Sequence, residues 1–347
     1  MPLGALIGIF VGSGVVTWLA GVALAKTTDT LDHRLKIGDA LGGLILLGVS
    51  GSLPEIAVVF SAARHGHIPV IIGTLIGGLS IQTLLIVMFD VAAGKERPLS
   101  YLAGSVILCF ETLFAIGVTV ITILATFIPA RVNVLGLNPL SIGILVAWIL
   151  GLLLINKARK VPRFNRVSED AKPGRKHHER RAAKPHVFYA GKSTLHVILI
   201  FVAASVVTLV AGWLLEESGN ALAGALKIGS GIFAATFIAL ATSIPEISTG
   251  LESVFIGDNH LAISDIVGGN AFMLVLFLFA DGVARRPVLS GAGRQDLMFA
   301  LLGAAMMSIY AVSFVVRPRK CYWRLGLDSV LVFLLYVAAM IALTRLG

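Results

Sequence analysis

Apolar runs of about 20 residues recur along almost the whole chain, and a helix of that length rising 1.5 Å per residue crosses a hydrocarbon layer about 30 Å thick. Inside such a layer every backbone N–H and C=O must find its partner within the chain, so the runs fold as helices. The composition agrees. Of 347 residues, 57% are hydrophobic and only 14% are charged, against roughly 25% charged in soluble domains. The chain reads as an all-α polytopic membrane protein.

Breaking the runs at polar clusters gives about ten transmembrane helices, near 3–25, 37–62, 70–92, 100–128, 135–156, 194–215, 226–255, 261–283, 296–316 and 326–345. The first has no basic residue ahead of it and is too long for a signal-peptide core, so it is expected to be a retained span. Assigning alternate loops to one side collects 21 of the 28 Lys and Arg there, twelve of them between Lys157 and Lys192. By the positive-inside rule that side is cytoplasmic and both termini face out, in a multi-pass protein of the inner or plasma membrane. The Arg285–Arg286 pair runs against this locally. Residues 157–193 form a basic linker, suited to anionic lipid headgroups, between halves 1–156 and 194–347. The net charge of +9 is a matter of topology rather than of nucleic-acid binding. Cys109 and Cys321 are far apart and imply neither a disulfide framework nor a zinc motif.

The two halves are related. Sliding the chain on itself by 191 positions brings Leu35-Lys36-Ile37-Gly38 onto Leu226-Lys227-Ile228-Gly229, Ser52-Leu53-Pro54-Glu55-Ile56 onto Ser243-Ile244-Pro245-Glu246-Ile247, and Gly77-Gly78 onto Gly268-Gly269. The copies begin five spans apart, and an odd step reverses the direction of crossing. Two inverted-topology repeats of five helices are the hallmark of secondary transporters, with the substrate site where interrupted helices meet near the bilayer midplane.

Glu55 and Glu246 fall deep in apolar spans, where a carboxylate costs at least about 2.5 to 3.5 kcal/mol. The prolines before them predict kinks that free carbonyls near Ser50 and Ala241. With Ser52, Thr242 and Ser243 added, two carboxylates and several neutral oxygens describe a calcium site better than a magnesium one. Their two negative charges are balanced by one divalent ion or by two sodium ions or protons. Small residues on the next helix, Gly73, Gly77 and Gly78 in one copy and Ser264, Gly268 and Gly269 in the other, serve close packing, ion contact or both. Asp265, Glu252, Glu111 and Asp39 are further intramembrane acids, each with ordinary pairing or helix capping as the alternative to function, and His196 is expected at the interface.

These motifs resemble the sodium/calcium exchanger family, whose two alpha repeats carry Gly-Thr-Ser-Leu-Pro-Glu followed by a helix bearing Gly-Ser-Asn. The matching residues are Gly51-Ser52-Leu53-Pro54-Glu55 and Ala241-Thr242-Ser243-Ile244-Pro245-Glu246. The resemblance implies a Ca2+/Na+ antiporter with Glu55 and Glu246 as central ligands and backbone oxygens of Gly51 and Thr242 completing the calcium site. It gives Ser243 and the Ala239 carbonyl to a sodium site. No resident cofactor is implied, since Ca2+ and Na+ or H+ are the cargo, and the oligomeric state is left open. Gly-Ser-Asn is replaced by Gly77-Gly78-Leu79 and Gly268-Gly269-Asn270, and the family's later Asn or Asp by Gln82 and Met273. Gln82 still offers an amide oxygen, whereas a thioether is a soft ligand with little affinity for sodium or calcium. A cation/H+ antiporter of the same fold is therefore the alternative, with Asp265 able to carry a proton.

A rival from another class is a rhomboid-type intramembrane serine protease, for which Gly48-Val49-Ser50-Gly51 matches Gly-x-Ser-Gly. It needs a histidine deep in a span, and His196 lies near an end. A scaffolding protein leaves the two glutamates unexplained.

Overall fold

The structure, a computed structural model, describes residues 1–35, 49–94, 97–159, 189, 191–322 and 324–346. In chain order the helices are α1 (Leu3–Leu35), α2 (Leu53–His65), α3 (Ile68–Ala93), a short α4 (Leu99–Ala103), α5 (Val106–Thr126), α6 (Pro139–Arg159), α7 (Thr194–Leu226), α8 (Ser230–Thr242), α9 (Ile244–Phe255), α10 (Asn259–Ala284), α11 (Arg294–Val316) and α12 (Leu327–Leu346). Among the described residues seven helices are long and apolar enough to cross a membrane, or eight with α8 and α9 taken as one span bent by 46°. The two remaining expected spans correspond to α2, whose expected leading part lies largely outside the described residues, and to α12, whose apolar stretch Leu327–Leu343 is shorter.

The 191-residue offset reappears in the helix boundaries. Leu3–Leu35 maps onto Thr194–Leu226, and Ile68–Ala93 onto Asn259–Ala284. Both α1 and α7 are 33 residues long, about 50 Å at 1.5 Å per residue, and they pack chiefly against each other. The acidic pair Glu216–Glu217, just past the 194–215 span marked by hydropathy, therefore lies within a continuous helix.

The same offset relates two buried aspartates near the ends of α3 and α10. Asp90 accepts the backbone N–H of Leu99 at 2.6 Å and of Gly326 at 2.6 Å, and Asp281 accepts those of Val288 at 2.6 Å and Asn138 at 3.0 Å. Each carboxylate fastens its helix end to a following loop and to a distant segment. Gly326 belongs to a two-stranded antiparallel hairpin, β1 (Cys321–Tyr322) with β2 (Leu325–Gly326), a small departure from the all-helical expectation.

Contact between the halves depends on small residues, because lipid-exposed helices gain little from apolar burial alone. Both α3 and α8 contain a π turn, Gly73–Gly77 and Ala234–Ile238, and these turns face each other. A Cβ on Gly73 would collide with the Gly231 carbonyl, and one on Gly77 with Ala235. These two glycines allow backbone to meet backbone. The basic linker lies almost wholly outside the described residues; at its end Arg34 of α1 donates to the Tyr189 carbonyl at 2.7 Å and to the Thr194 hydroxyl at 3.3 Å.

Candidate cation site

The repeated Ser-x-Pro-Glu motif makes a break rather than the expected kink. Ser243 ends α8 and begins α9 with φ −85°, ψ 2°, and Ser52 precedes α2 with φ −91°, ψ 14°. Pro245 and Pro54 therefore occupy the first turn of a new helix, where a missing N–H costs nothing. The kinks expected from the sequence require both prolines inside a helix, and the backbone at Ser243 and Ser52 puts them at a helix start instead. Pro245 still supplies no N–H to the Ala241 carbonyl four residues back. Glu55 and Glu246 stand in the first turns of their helices, where the positive end of the helix dipole favours a carboxylate.

Glu55 is completely buried and neither carboxylate oxygen has a hydrogen-bond partner; Glu246 is half-buried, with Oε2 likewise buried and unpartnered. The two carboxylates lie within electrostatic reach of each other, and Asp265 lies within reach of Glu246. Thr242 sits beside Glu55. Its hydroxyl hydrogen is committed to the Ala239 carbonyl at 3.1 Å, as is that of Ser243 at 2.8 Å, so both hydroxyls keep lone pairs for another partner, while the Ala239 carbonyl also accepts the Ser243 backbone N–H at 3.1 Å. Leaving a buried polar group without a partner costs about 1 to 3 kcal/mol, more for a charged one. Buried carboxylates within electrostatic reach of each other, with no ion-pair partner among the described residues, are compensated by bound cations or by protonation.

The helices packed against α9, α3 and α10, carry neutral oxygens that also lack partners. Gln82 Oε1, Asn270 Oδ1 and Thr74 Oγ1 are also buried and unpartnered. The Asn270 amide nitrogen is held by Thr83 Oγ1 at 3.0 Å, which leaves its carbonyl oxygen as the available end. Ser52 is buried at the start of α2, whereas Gly51 is exposed.

The two departures from the family motif lie across the repeat axis from each other. A Cβ on Gly269 would come 3.4 Å from Gln82 Oε1, and a Cβ on Gly78 would collide with Met273 Cε. Since Gly78 and Gly269 are equivalent by the 191-residue offset, as are Gln82 and Met273, the contacts are reciprocal, as a two-fold relation requires. The Met273 methyl fills the space that a serine at position 78 would enter. Loss of one oxygen ligand and acquisition of a thioether are thus a single packing event.

Other intramembrane acids divide. Asp265 is accessible and has Thr249 beside it. Glu111 is paired, with Arg159 Nη2 at 2.6 Å from Oε1 and the Ser264 hydroxyl at 2.8 Å from Oε2. Glu252 is exposed. His196, also exposed, lies 3.3 Å from Lys192 Nζ. Ser50 Oγ accepts the Thr28 hydroxyl at 3.0 Å. Asp39 lies outside the described residues.

Asn270 and Thr74 are the buried oxygens missing from the expected ligand set. Asn270 was visible as the only asparagine kept from Gly-Ser-Asn, and Thr74 as the position opposite Asp265. Asp90 and Asp281 were also readable as a pair 191 apart, a carboxylate in the same place in both copies.

Comparison with known proteins bears on the fold and the family. The family described as sodium/calcium exchanger protein matches residues 5–156 and 196–342, one stretch in each half. CaxA of Alkalimonas amylolytica is 23% identical over 311 residues, covering 88% of this chain and 90% of its own length. Inner membrane protein YrbG of Escherichia coli K12 is 25% identical over 256 residues, covering 74% and 72%. The fold is shared with the crystal structure of the H+/Ca2+ exchanger CAX, at TM-score 0.65 and 14% identity over 97% of this chain and 82% of that one. It is shared too with the sodium-calcium exchanger NCX_Mj, at TM-score 0.58 and 14% identity over 98% and 99%. Two inverted repeats, each presenting a glutamate at a helix break, and a family match to both halves mean that this multi-pass membrane chain belongs to the sodium/calcium exchanger family of cation antiporters.

Proposed function

We propose that the protein exchanges Ca2+ for Na+ by alternating access around one site, with Glu55 and Glu246 as the shared central ligands. The observation that carries this reading is the fully buried Glu55 carboxylate with both oxygens unpartnered, within reach of the Glu246 charge. Thr242, Ser243, Gln82 and Asn270 supply neutral oxygen, and hard oxygen donors with two negative charges suit Ca2+. One Ca2+ or two Na+ neutralise the pair equally, so the site exchanges them without a change in its own charge. Ser52 and the backbone at Gly51 are assigned to its first-repeat side, Ser243 and the Ala239 carbonyl to sodium. Both termini are assigned to the non-cytoplasmic face.

A second reading, proton as counter-ion, is favoured by the Met273 methyl over Gly78, which replaces oxygen donors with a group of little affinity for sodium. Two protons discharge the same pair of carboxylates, and accessible Asp265 offers a way station. Calcium flux into vesicles holding the purified protein, driven separately by a sodium and by a proton gradient, tests the assignment. Exchange for sodium predicts uptake with the first gradient alone; uptake only with the second establishes the proton reading, and uptake with neither refutes both.

A further inference from the structure

At the end of α2 away from Glu55 lies a second cluster of ligand-bearing side chains. His65 is ten residues beyond Glu55 on the same helix, about 15 Å along its axis, so the cluster is separate from the cation site. The ligand atoms of His65, His67 and Glu216 all lie within 4.8 Å of one another. His67 Nδ1 is 2.7 Å from Glu216 Oε1, His65 Nδ1 is 4.0 Å from Glu216 Oε2, and Glu217 Oε1 is 2.9 Å from His65 Nδ1.

Glu216 is the unusual member. Its side chain is fully buried, and a buried carboxylate is tolerated only when its charge is compensated. Ser61 donates to Oε2 at 2.6 Å, but among the described residues the ion-pair partners of Glu216 are His65 and His67. A neutral imidazole gives a hydrogen bond without charge. A metal ion held between the nitrogens and the carboxylate supplies both.

We propose that His65, His67 and Glu216, with Glu217 as a fourth ligand, form a binding site for a transition-metal dication of the Zn2+ type. Two imidazole nitrogens with one or two carboxylates suit Zn2+, whereas Ca2+ and Na+ prefer oxygen throughout. The site is therefore chemically distinct from the transport site as well as remote from it. A metal bound there ties α2 and the start of α3 to α7, linking the helix that carries Glu55 to one of the two long helices. By the loop-charge count this end faces away from the cytoplasm, so the metal comes from outside.

The test is equilibrium Zn2+ binding to the full-length protein in lipid nanodiscs, with any affinity tag removed, measured by competition with a fluorescent zinc chelator at pH 7.5. The wild type is expected to bind one Zn2+ at micromolar concentration or below. The His65→Ala/His67→Ala variant is expected to bind at least about tenfold more weakly, since losing a ligand costs no less than losing a residue that orients one. Glu55→Gln/Glu246→Gln should bind as the wild type does, and this arm separates the proposal from the transport assignment. His67→Gln, which keeps a hydrogen-bond donor to Glu216, serves if the double histidine variant does not fold. Binding should weaken toward pH 5.5, where protons compete for the imidazoles. No micromolar binding, equal affinity in the histidine variants, or loss of binding in the glutamate variant alone would overturn the proposal.

Discussion

Gly21 of α1 lies against Pro245, so closely that a Cβ would come 2.6 Å from the proline Cγ. Gly212, 191 positions later on α7, lies against α2 in the same way, its Cβ position 2.5 Å from Ala57 Cβ and 3.1 Å from the Pro54 carbonyl oxygen. Each long helix thus braces the helix break of the opposite repeat, and each can do so only where a side chain is missing. The bracing fixes the two prolines, and through them the glutamates that follow.

Filling either contact should loosen the protein to a similar degree. Gly21→Leu and Gly212→Leu are each expected to lose about 1 to 3 kcal/mol of stability, the usual cost of overpacking a tight contact. Gly12→Ala, with open space around its Cβ position, should change little. Thermal unfolding in detergent checks all three, and unequal losses at positions 21 and 212 would argue against matched bracing.

The contact between Gly78 and Met273 predicts non-additive substitutions. Gly78→Ser alone meets the Met273 methyl, whereas combined with Met273→Asp the serine has room and two oxygen ligands return. A double-mutant cycle on stability should show coupling of about 0.5 to 3 kcal/mol. In vesicles the double variant should depend more strongly on sodium than the wild type; unchanged sodium dependence would mean that these two positions do not select the counter-ion.

Asp90 and Asp281 are assigned to structure. Replacing either by Asn turns one acceptor oxygen into an NH2 facing a backbone N–H, and the expected loss is about 1 to 3 kcal/mol for a buried donor left unsatisfied. Melting temperatures should fall for both variants. The calcium concentration for half-maximal transport should stay the same in the folded fraction.

Glu111 gives the contrasting case of an intramembrane acid that is already paired. Glu111→Gln keeps one acceptor oxygen for Arg159 and turns the other into an NH2 that can donate to the Ser264 hydroxyl, so calcium uptake should be retained. Loss of uptake in a stably folded variant would place Glu111 on the ion path.

Much of this arrangement is written in the 191-residue offset. It pairs the two Ser-x-Pro-Glu motifs and the two halves, and it singles out Glu55 and Glu246, because a costly carboxylate after a proline in two apolar spans has few explanations. The break was misread as a kink because a proline's effect depends on whether it stands inside a helix or in its first turn, and that is decided by the backbone at Ser52 and Ser243. The extension of α7 past Glu216 was hidden because hydropathy marks where lipid ends, not where helical hydrogen bonding ends. Reciprocal contacts such as Gln82 with Gly269 and Met273 with Gly78 required the two-fold packing itself. The sequence offered each residue, and only the assembled helices bring it to its partner.

The most direct measurement of the central claim is calcium uptake into vesicles by Glu55→Gln and Glu246→Gln, each compared with wild type and with Glu111→Gln at equal amounts of folded protein. A site that holds its ion between two opposed carboxylates predicts uptake at background for both glutamate variants. Wild-type uptake by either one would contradict it.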